Sequence, residues 1–134
     1  MSEEIARQWL EASATSASKQ QLEAHLDLIS RRVKLTGVPG FDVIGYDDWA
    51  RQCTEEFGNG LMQSVRYDGL KMLKATDSNV MFRTWETVEG SDGTVNAQGI
   101  EVQLQKEEDV KWRVVEERVL SSVEAARDGL MSTV

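Results

Sequence analysis

The chain has 134 residues, 40% hydrophobic and 28% charged, a composition that predicts one folded domain spanning 1–134. Its net charge of −8, with 23 acidic and 15 basic residues, disfavours nucleic acid and anionic membranes as partners. The lone cysteine, Cys53, excludes an intrachain disulfide, and the acidic N-terminus lacks an apolar signal core. Both features predict a cytoplasmic protein.

The first part of the sequence predicts two helices. Ile5, Trp9 and Ala12 fall on one face of the first helix, and a break is predicted at the small-residue segment SATSAS, residues 13–18. The apolar stripe of the second helix consists of Leu22, Leu26 and Ile29.

A short strand and a third helix follow. Val33 and Leu35 alternate with polar residues in the strand, which ends at the turn GVPG, residues 37–40. The acidic pair Asp47 and Asp48 is suited to the start of the third helix, and Gly58 to its end. One side of this helix holds Tyr46, Trp49, Cys53 and Phe57.

The second half of the sequence changes to a period of two residues. From about Val65 it predicts four long strands, with turns at 77–79, 90–93 and 106–109. Short links join antiparallel neighbours. The predicted fold is therefore α+β, with three N-terminal helices packed on a curved antiparallel four-stranded meander plus one short strand. Such a curved layer leaves room for a cone-shaped cavity.

Two segments resemble the nuclear transport factor 2-like superfamily, in particular its SnoaL-like bacterial branch. They are AHLDLISRRVKLTGVPG (24–40) and EGSDGTVNAQGIEVQLQKEEDVKWRVVEERV (89–119). The resemblance implies a cone-shaped α+β barrel and pairing of subunits sheet against sheet. The superfamily contains isomerases, cyclases, dehydratases, transport factors and binding modules, so the site needs its own argument.

Strand register decides which residues would line a pocket. A two- or four-residue turn at Ser91-Asp92 or at Asp92-Gly93 puts Phe82, Thr84 and Glu86 on the face of Glu101. A four-residue turn at 106–109 adds alternate residues of the last strand, and a three- or five-residue turn there would reverse them. The favoured face gives the ligand-binding candidates Glu101, Gln103, Glu116 and Arg118, with Tyr46 and Trp49 near the mouth. The alternative is that these charges form cross-strand pairs on a solvated face.

No motif in the sequence predicts a metal or a cofactor. The chain has one histidine and one cysteine, and neither a glycine-rich phosphate loop nor a nucleophile elbow is present. His25 is interpreted as a partly buried histidine with a hydrogen bond. Similarity to the ketosteroid isomerases would require a base within Val33–Gly40, which has no acidic residue, and a donor tyrosine near Trp9.

The leading functional interpretation is a domain that binds a small, partly apolar molecule, without catalysis that the sequence demonstrates. One alternative is a cofactor-independent isomerase, cyclase or dehydratase that uses Glu101 or Glu116 as acid or base. Another is a protein-interaction module. A pocket that holds a buried carboxylate with a raised pKa would favour the enzyme.

The opposite sheet face predicts self-association. An apolar patch of this kind is rarely left exposed on a monomer, and twofold symmetry is the commonest way to cover it. The predicted homodimer contact consists of Met81, Trp85, Ile100 and Val102. If the register were reversed, this patch would instead be core.

Overall fold

The computed structural model describes residues 2–60 and 62–130, which form the α+β fold that the sequence predicts. Three helices and one strand precede the meander, and a short helix follows it. In chain order the elements are α1 (Ser2–Ser18), α2 (Leu22–Leu26), β1 (Ile29–Thr36), α3 (Tyr46–Gly58), β2 (Met62–Ala75), β3 (Asn79–Gly90), β4 (Val95–Lys106), β5 (Trp112–Val119) and α4 (Ser122–Arg127).

The five strands form one curved sheet in the order β1-β5-β4-β3-β2. Strands β2 to β5 are an antiparallel meander, as predicted, and β1 pairs in parallel with β5. Helix α1 packs on β2 and β3, and α3 packs against β1. The core between these layers is centred on Phe82, Ile100 and Leu104, which are completely buried.

Helix α1 does not break at residues 13–18, contrary to the prediction. Ser13, Ser16 and Ala17 continue the buried side begun by Ala6 and Trp9. Small side chains let this end of the helix lie close to β2, and the Ser16 hydroxyl donates a hydrogen bond to the Ser13 carbonyl at 3.2 Å. Close packing therefore compensates for the modest helix propensity of serine.

Helix α4 was not predicted from the sequence. The Ser121 hydroxyl accepts a hydrogen bond from the Glu124 backbone N–H at 3.2 Å, and the Glu124 carboxylate accepts one from the Ser121 N–H. This is a capping box, and its spacing is visible in the sequence. The helix lies on the outer face of the sheet, where Ala125 packs over Gly99.

The link between β3 and β4 reverses the predicted register of β4. The Gly90 N–H donates to the Thr94 carbonyl at 2.8 Å, so three residues, 91–93, form the turn. Gly93 has a φ of +87°, the left-handed conformation that such a three-residue turn requires. Thr84 consequently lies opposite Ile100, and Arg83 lies opposite Glu101.

Strand β5 contains an irregularity that changes its face part of the way along. Gln103 pairs with Glu116, but the next residue of β4, Leu104, pairs with Val114. Val115 is the extra residue of this bulge. Val114 therefore faces the core on one side of the bulge and Glu117 faces it on the other, whereas Glu116 is exposed.

Candidate functional site

A cavity of about 580 Å³ lies between the concave face of the sheet and the three N-terminal helices. Trp9 and Ser13 of α1, His25 of α2 and Trp49 of α3 form part of its helical wall. The opposite wall comes from β2 to β5. It contains Val65, Tyr67, Glu86, Val88, Asn96, Gln98, Glu117 and Val119. The cavity is thus largely apolar, with a few polar groups directed into it.

Two carboxyl groups belong to the sheet wall of this cavity. Glu86 of β3 lies between Tyr67 of β2 and Gln98 of β4, and the Gln98 Nε2 donates to its Oε1 at 3.5 Å. Glu117 of β5 is only 7% exposed. It has no hydrogen-bond or ion-pair partner within the described part of the chain.

The surroundings of both groups oppose ionisation. Burial raises the pKa of Glu117 well above its ordinary value, and repulsion from Glu86 raises it further. Burial also raises the pKa of Glu86, although the hydrogen bonds from Gln98 and Tyr67 favour its charged form. Two carboxyl groups in this arrangement hold a proton to a higher pH than either would alone.

Tyr67 connects the carboxyl pair to helix α1. Its hydroxyl and the Ser13 hydroxyl are hydrogen bonded at 2.9 Å. Burial raises the pKa of Tyr67 well above its usual value, and the nearby Glu86 adds to this shift. The phenol is therefore protonated at neutral pH and is available as a hydrogen-bond donor inside the cavity.

His25 and Cys53 line the cavity without taking a reactive form. The His25 Nδ1 is hydrogen bonded to the Ser16 hydroxyl at 2.9 Å, and the ring packs against Phe57 with a centroid distance of 5.5 Å. Burial lowers the pKa of His25, so the imidazole is neutral. The interpretation of His25 as a buried, hydrogen-bonded histidine is confirmed. Burial raises the pKa of the Cys53 thiol to about 12, which keeps it from being a nucleophile.

The six residues predicted to bind a ligand do not lie together. Trp49 lines the cavity, but Tyr46 does not, and the Arg31 guanidinium lies 4.8 Å from the centre of the Tyr46 ring. The other four face the convex side, where they border a shallow recess of about 130 Å³. They are Glu101, Gln103, Glu116 and Arg118.

The predicted position of these four between sheet and helices is wrong. The three-residue turn at 91–93 reversed β4. The turn between β4 and β5 also has three residues, 108–110, instead of the predicted four, but the bulge at Val115 restores the predicted placement of Glu116 and Arg118 on the face of Glu101, so both follow β4 to the convex side. Their grouping with one another is right, since Glu101 lies opposite Arg118 and Gln103 lies opposite Glu116. Any role of theirs in ligand binding stays a prediction.

Several charged side chains of the convex face form ion pairs with one another. Arg83 donates to the directly opposite Glu101 at 2.9 Å, and Arg118 donates to Glu124 of α4 at 3.0 Å. Asp128 is paired with both Arg83 and Lys71. These contacts are the alternative that the sequence left open, in which cross-strand pairs form on the outer surface.

The four residues of the predicted dimer contact lie on two different faces of the sheet. Ile100 and Val102 are completely buried in the core, so their assignment to an outer patch is wrong. Met81 and Trp85 do face the convex side, but Leu120, Ala125 and Leu130 pack against Trp85. The chain thus covers part of this patch by itself.

Sequence reasoning missed Glu117 and Tyr67 as site residues. Glu86 was placed on the correct face but was not among the candidates. Glu116 and Glu117 face opposite sides because side chains alternate along a strand, and the bulge at Val115, which no local motif marks, decides which of them faces the cavity. Val65 and Tyr67 are two residues apart in β2, so alternation along the strand puts both on the same face. That Tyr67 lies beside Glu86 depends on the register between β2 and β3.

Neither a cluster of metal ligands nor a membrane-spanning helix is present among the described residues. Within 2–60 and 62–130, no three His, Cys, Asp or Glu side chains are grouped so as to hold a metal ion. None of the helices in these ranges is long and apolar enough to cross a membrane.

Several solved structures have the same fold at low sequence identity. A nuclear transport factor 2-like protein from Cytophaga hutchinsonii is 9% identical with a TM-score of 0.74, over 90% of this chain and 98% of that one. Two proteins from Novosphingobium aromaticivorans, provisionally named an aromatic ring hydroxylase and a scytalone dehydratase, give TM-scores of 0.70 and 0.69. They are 12% and 10% identical, over 88% and 87% of this chain and 87% and 81% of theirs.

No protein-family model matches the chain, and no curated protein does. At these identities the structural matches show the fold alone. They confirm the nuclear transport factor 2-like fold that the sequence predicts.

Proposed function

We propose that this chain, which has the nuclear transport factor 2-like fold, binds a small and partly apolar molecule in its cavity and catalyses proton transfer on it. Glu86 and Glu117 act as the acid and base, without a cofactor. The observation that supports the proposal is the placement of Glu117, a buried carboxyl group without a partner among the described residues, in the cavity wall beside a second carboxyl group.

Binding alone would require only the cavity. Its volume of about 580 Å³ is within the range of small-molecule pockets, and most of its wall is apolar. The carboxyl pair adds the means for chemistry, because an apolar wall has no structural need for a carboxyl group and burying one costs stability. Strongly perturbed carboxyl groups in cavities are frequent at catalytic sites.

The pair can both accept and donate a proton. When it holds one proton, the ionised member can remove a proton from a bound molecule while the protonated member can supply one to it. Isomerisation, dehydration and cyclisation all need such a pair of transfers. Glu86 and Glu117 thus replace Glu101 and Glu116, which the sequence suggested for the same role.

Tyr67 is suited to stabilise negative charge on the substrate. Its hydroxyl lies in the cavity wall, hydrogen bonded to Ser13, and remains protonated because of burial and of Glu86. A neutral phenol in a cavity of this kind can donate to an oxygen atom that becomes negative during the reaction. Its position on the strand next to Glu86 keeps donor and base on adjacent strands.

A generic probe of proton abstraction tests this proposal. 5-Nitrobenzisoxazole opens when a base removes its ring C–H proton; the N–O bond breaks with the electron pair going to oxygen, and a coloured cyanonitrophenolate forms. We expect the protein to accelerate this reaction relative to a carboxylate buffer, with a rate that increases with pH as the pair loses its proton. Glu117→Gln should remove the acceleration.

Glu116→Gln is the matched control, because Glu116 is the exposed neighbour of Glu117 on the opposite face. It should leave the rate unchanged. Equal rates for the wild-type protein, Glu117→Gln and buffer would contradict the proposed catalysis.

Two further predictions remain outside the cavity. A homodimer would have to use Met81 and the part of the convex face that α4 leaves uncovered, and sedimentation at tens of micromolar protein would test it. A cytoplasmic location remains a prediction from the lone Cys53.

A further inference from the structure

We propose that the ligand of the cavity is an organic cation, an aromatic or alkyl amine whose ammonium group binds to Glu117 and Glu86. This inference deepens the proposed function, since it places the ligand in the same cavity. It concerns recognition, however, and does not require that any reaction take place.

The charged groups of the cavity wall are all of one sign. Four acidic residues line it: Glu56, Glu86, Asp92 and Glu117. No lysine or arginine is among the described lining residues, and His25 is neutral because burial lowers its pKa. A cleft with walls of one sign concentrates ions of the other sign and repels ions of its own. The net charge of this wall would therefore favour a cationic ligand over an anionic one.

Three arginines of the sheet lie outside the cavity and are paired with acidic groups. Arg83 and Arg118 lie on the convex face with Glu101, Glu124 and Asp128 as partners. At the far end of the sheet, Arg113 pairs with Asp27, Glu107 and Asp109. None of these cations is directed toward the cavity, so a positive charge for Glu117 has to come from a bound molecule.

Glu117 offers a hydrogen-bond acceptor to a molecule in the cavity. Its side chain is nine-tenths buried, lines the cavity and has no hydrogen-bond donor among the described residues. Buried polar groups nearly always have such a partner. An ammonium group offers up to three donors and a full positive charge, which is what an ionised Glu117 beside Glu86 lacks.

The rest of the wall fits the organic part of an amine. Trp9 and Trp49 provide indole surfaces, which attract cations as well as aromatic rings. Leu28, Ile29 and Ile44 supply an apolar surface for the hydrocarbon part. Asp92 is exposed in the turn between β3 and β4, so negative charge extends from the solvent side to the buried Glu117.

Binding of an ammonium group should release protons. The titratable groups that share the cavity wall with Glu117 are Glu86 on β3, Tyr67 on β2, His25 on α2, Cys53 and Glu56 on α3, and Asp92 in the turn between β3 and β4. Tyr67 and Cys53 stay neutral because their pKa values are raised, and His25 stays neutral because its pKa is lowered. A cation placed at the carboxyl pair favours its fully ionised form, so the shared proton leaves to solvent.

Three naphthyl compounds of one shape but different charge test the inference. They are 2-(1-naphthyl)ethylamine, 2-(1-naphthyl)ethanol and 1-naphthylacetate, titrated by calorimetry into the wild-type protein at neutral pH. We expect the amine to bind at least about tenfold more tightly than the alcohol, and the carboxylate to bind most weakly. Titrations in two buffers of different ionisation enthalpy should show proton release with the amine only.

Variants assign the preference to the carboxyl pair. Glu117→Gln should abolish most of the amine's advantage over the alcohol and the proton release, while Glu116→Gln should change neither. Equal binding of amine and alcohol, tighter binding of the carboxylate, or no binding of the amine would overturn the inference. If the protein still opens 5-nitrobenzisoxazole in a Glu117-dependent way, the proposed function stands without it. If amine binding holds but that activity is absent, only the catalysis fails.

Discussion

The two faces of the sheet treat their acidic residues in opposite ways. On the convex face Glu101 lies opposite Arg83, and Asp128 is paired with Arg83 and Lys71. On the concave face Glu117 and Glu86 lie in a cavity wall without a basic partner in the described chain. Glu116 and Glu117 are adjacent in sequence, yet one faces solvent and the other faces the cavity.

This contrast separates structural charges from functional ones. The pairs of the convex face lower the pKa of Asp128 through hydrogen bonds from Lys71 and Arg83. The carboxyl groups of the concave face have raised pKa values because they are buried beside each other. Groups of the first kind stabilise the folded state, and groups of the second kind reduce its stability in exchange for an activated acid or base.

The largest effect should come from the core residue that the sequence placed on the convex face. Ile100→Ala should lower the free energy of unfolding by roughly 2–5 kcal/mol, because it leaves a cavity among completely buried side chains. Chemical denaturation would measure this change. Gln103→Ala, on the convex side of the same strand, should have an effect within about 0.5 kcal/mol. If Ile100→Ala were as stable as the wild-type protein but self-associated more weakly, Ile100 would belong to a dimer contact, as the sequence predicted.

A smaller loss should follow from breaking the convex ion pairs. Arg83→Met leaves Glu101 and the nearly buried Asp128 short of a partner, so the free energy of unfolding should fall by about 2 kcal/mol. The matched control is Arg66→Met, which removes an exposed pair with Asp68 and should cost at most about 1 kcal/mol. Equal effects of the two variants in denaturation experiments would mean that the ion pairs of Arg83 stabilise the fold no more than an exposed pair does.

Glu117→Gln should change stability in the opposite direction. The folded state holds the Glu117 proton more tightly than the unfolded state, so its contribution to stability falls as the pH rises from the unfolded pKa through the folded one. The variant should therefore be more stable than the wild-type protein by about 1 kcal/mol at neutral pH. The difference should vanish in acid.

The pH dependence of the convex carboxylate should have the reverse sign. The pKa of Asp128 is lowered, so its stabilisation is complete above the unfolded pKa and is lost as the pH falls through the folded one. Asp128→Asn should thus destabilise the protein at neutral pH and have little effect in strong acid. Thermal unfolding across pH would compare Asp128→Asn with Glu117→Gln. If the stability of both variants relative to the wild-type protein changed with pH in the same direction, the proposed difference between the two faces would be wrong.

The smallest effect should be that of Arg118→Ala on ligand binding. Arg118 pairs with Glu124 and Glu101 on the convex face and does not line the cavity. Affinity for the naphthyl probes should therefore change less than about twofold, a free-energy difference below roughly 0.5 kcal/mol. A large loss of affinity for 1-naphthylacetate would show that Arg118 takes part in ligand binding, as the sequence predicted.

The sequence was sufficient to predict the order of the elements but not the face of each strand. The change from helical to alternating periodicity near residue 60 and the turns near Asp77 and Ser91 are local features, so three helices and a meander could be predicted. The face of a strand depends on its register, and a shift of one residue moves all of its side chains to the other face. The three-residue turn at 91–93 moved Glu101 to the outside, and Arg118 lies there because it pairs with Glu101.

Helix α4 could not be predicted from the sequence because it depends on tertiary packing. Its capping box at Ser121 could have been noticed, but six residues form a helix here only because Ala125 packs over Gly99 of the sheet. The unpaired state of Glu117 is likewise a property of the assembled cavity. Neither follows from the local sequence, because both depend on which surfaces meet.

The central claim is that the carboxyl pair of the concave face holds a proton to a higher pH than ordinary glutamates do. Carboxyl-carbon NMR of the protein labelled in its glutamate side chains tests it directly, with Glu86→Gln, Glu117→Gln and Glu116→Gln used to assign the signals. We expect Glu117 to remain protonated above the range in which glutamate side chains ordinarily ionise, and its pKa to fall when Glu86 is replaced, because the repulsion is removed. Titration of Glu86 and Glu117 together with the exposed glutamates would contradict the claim.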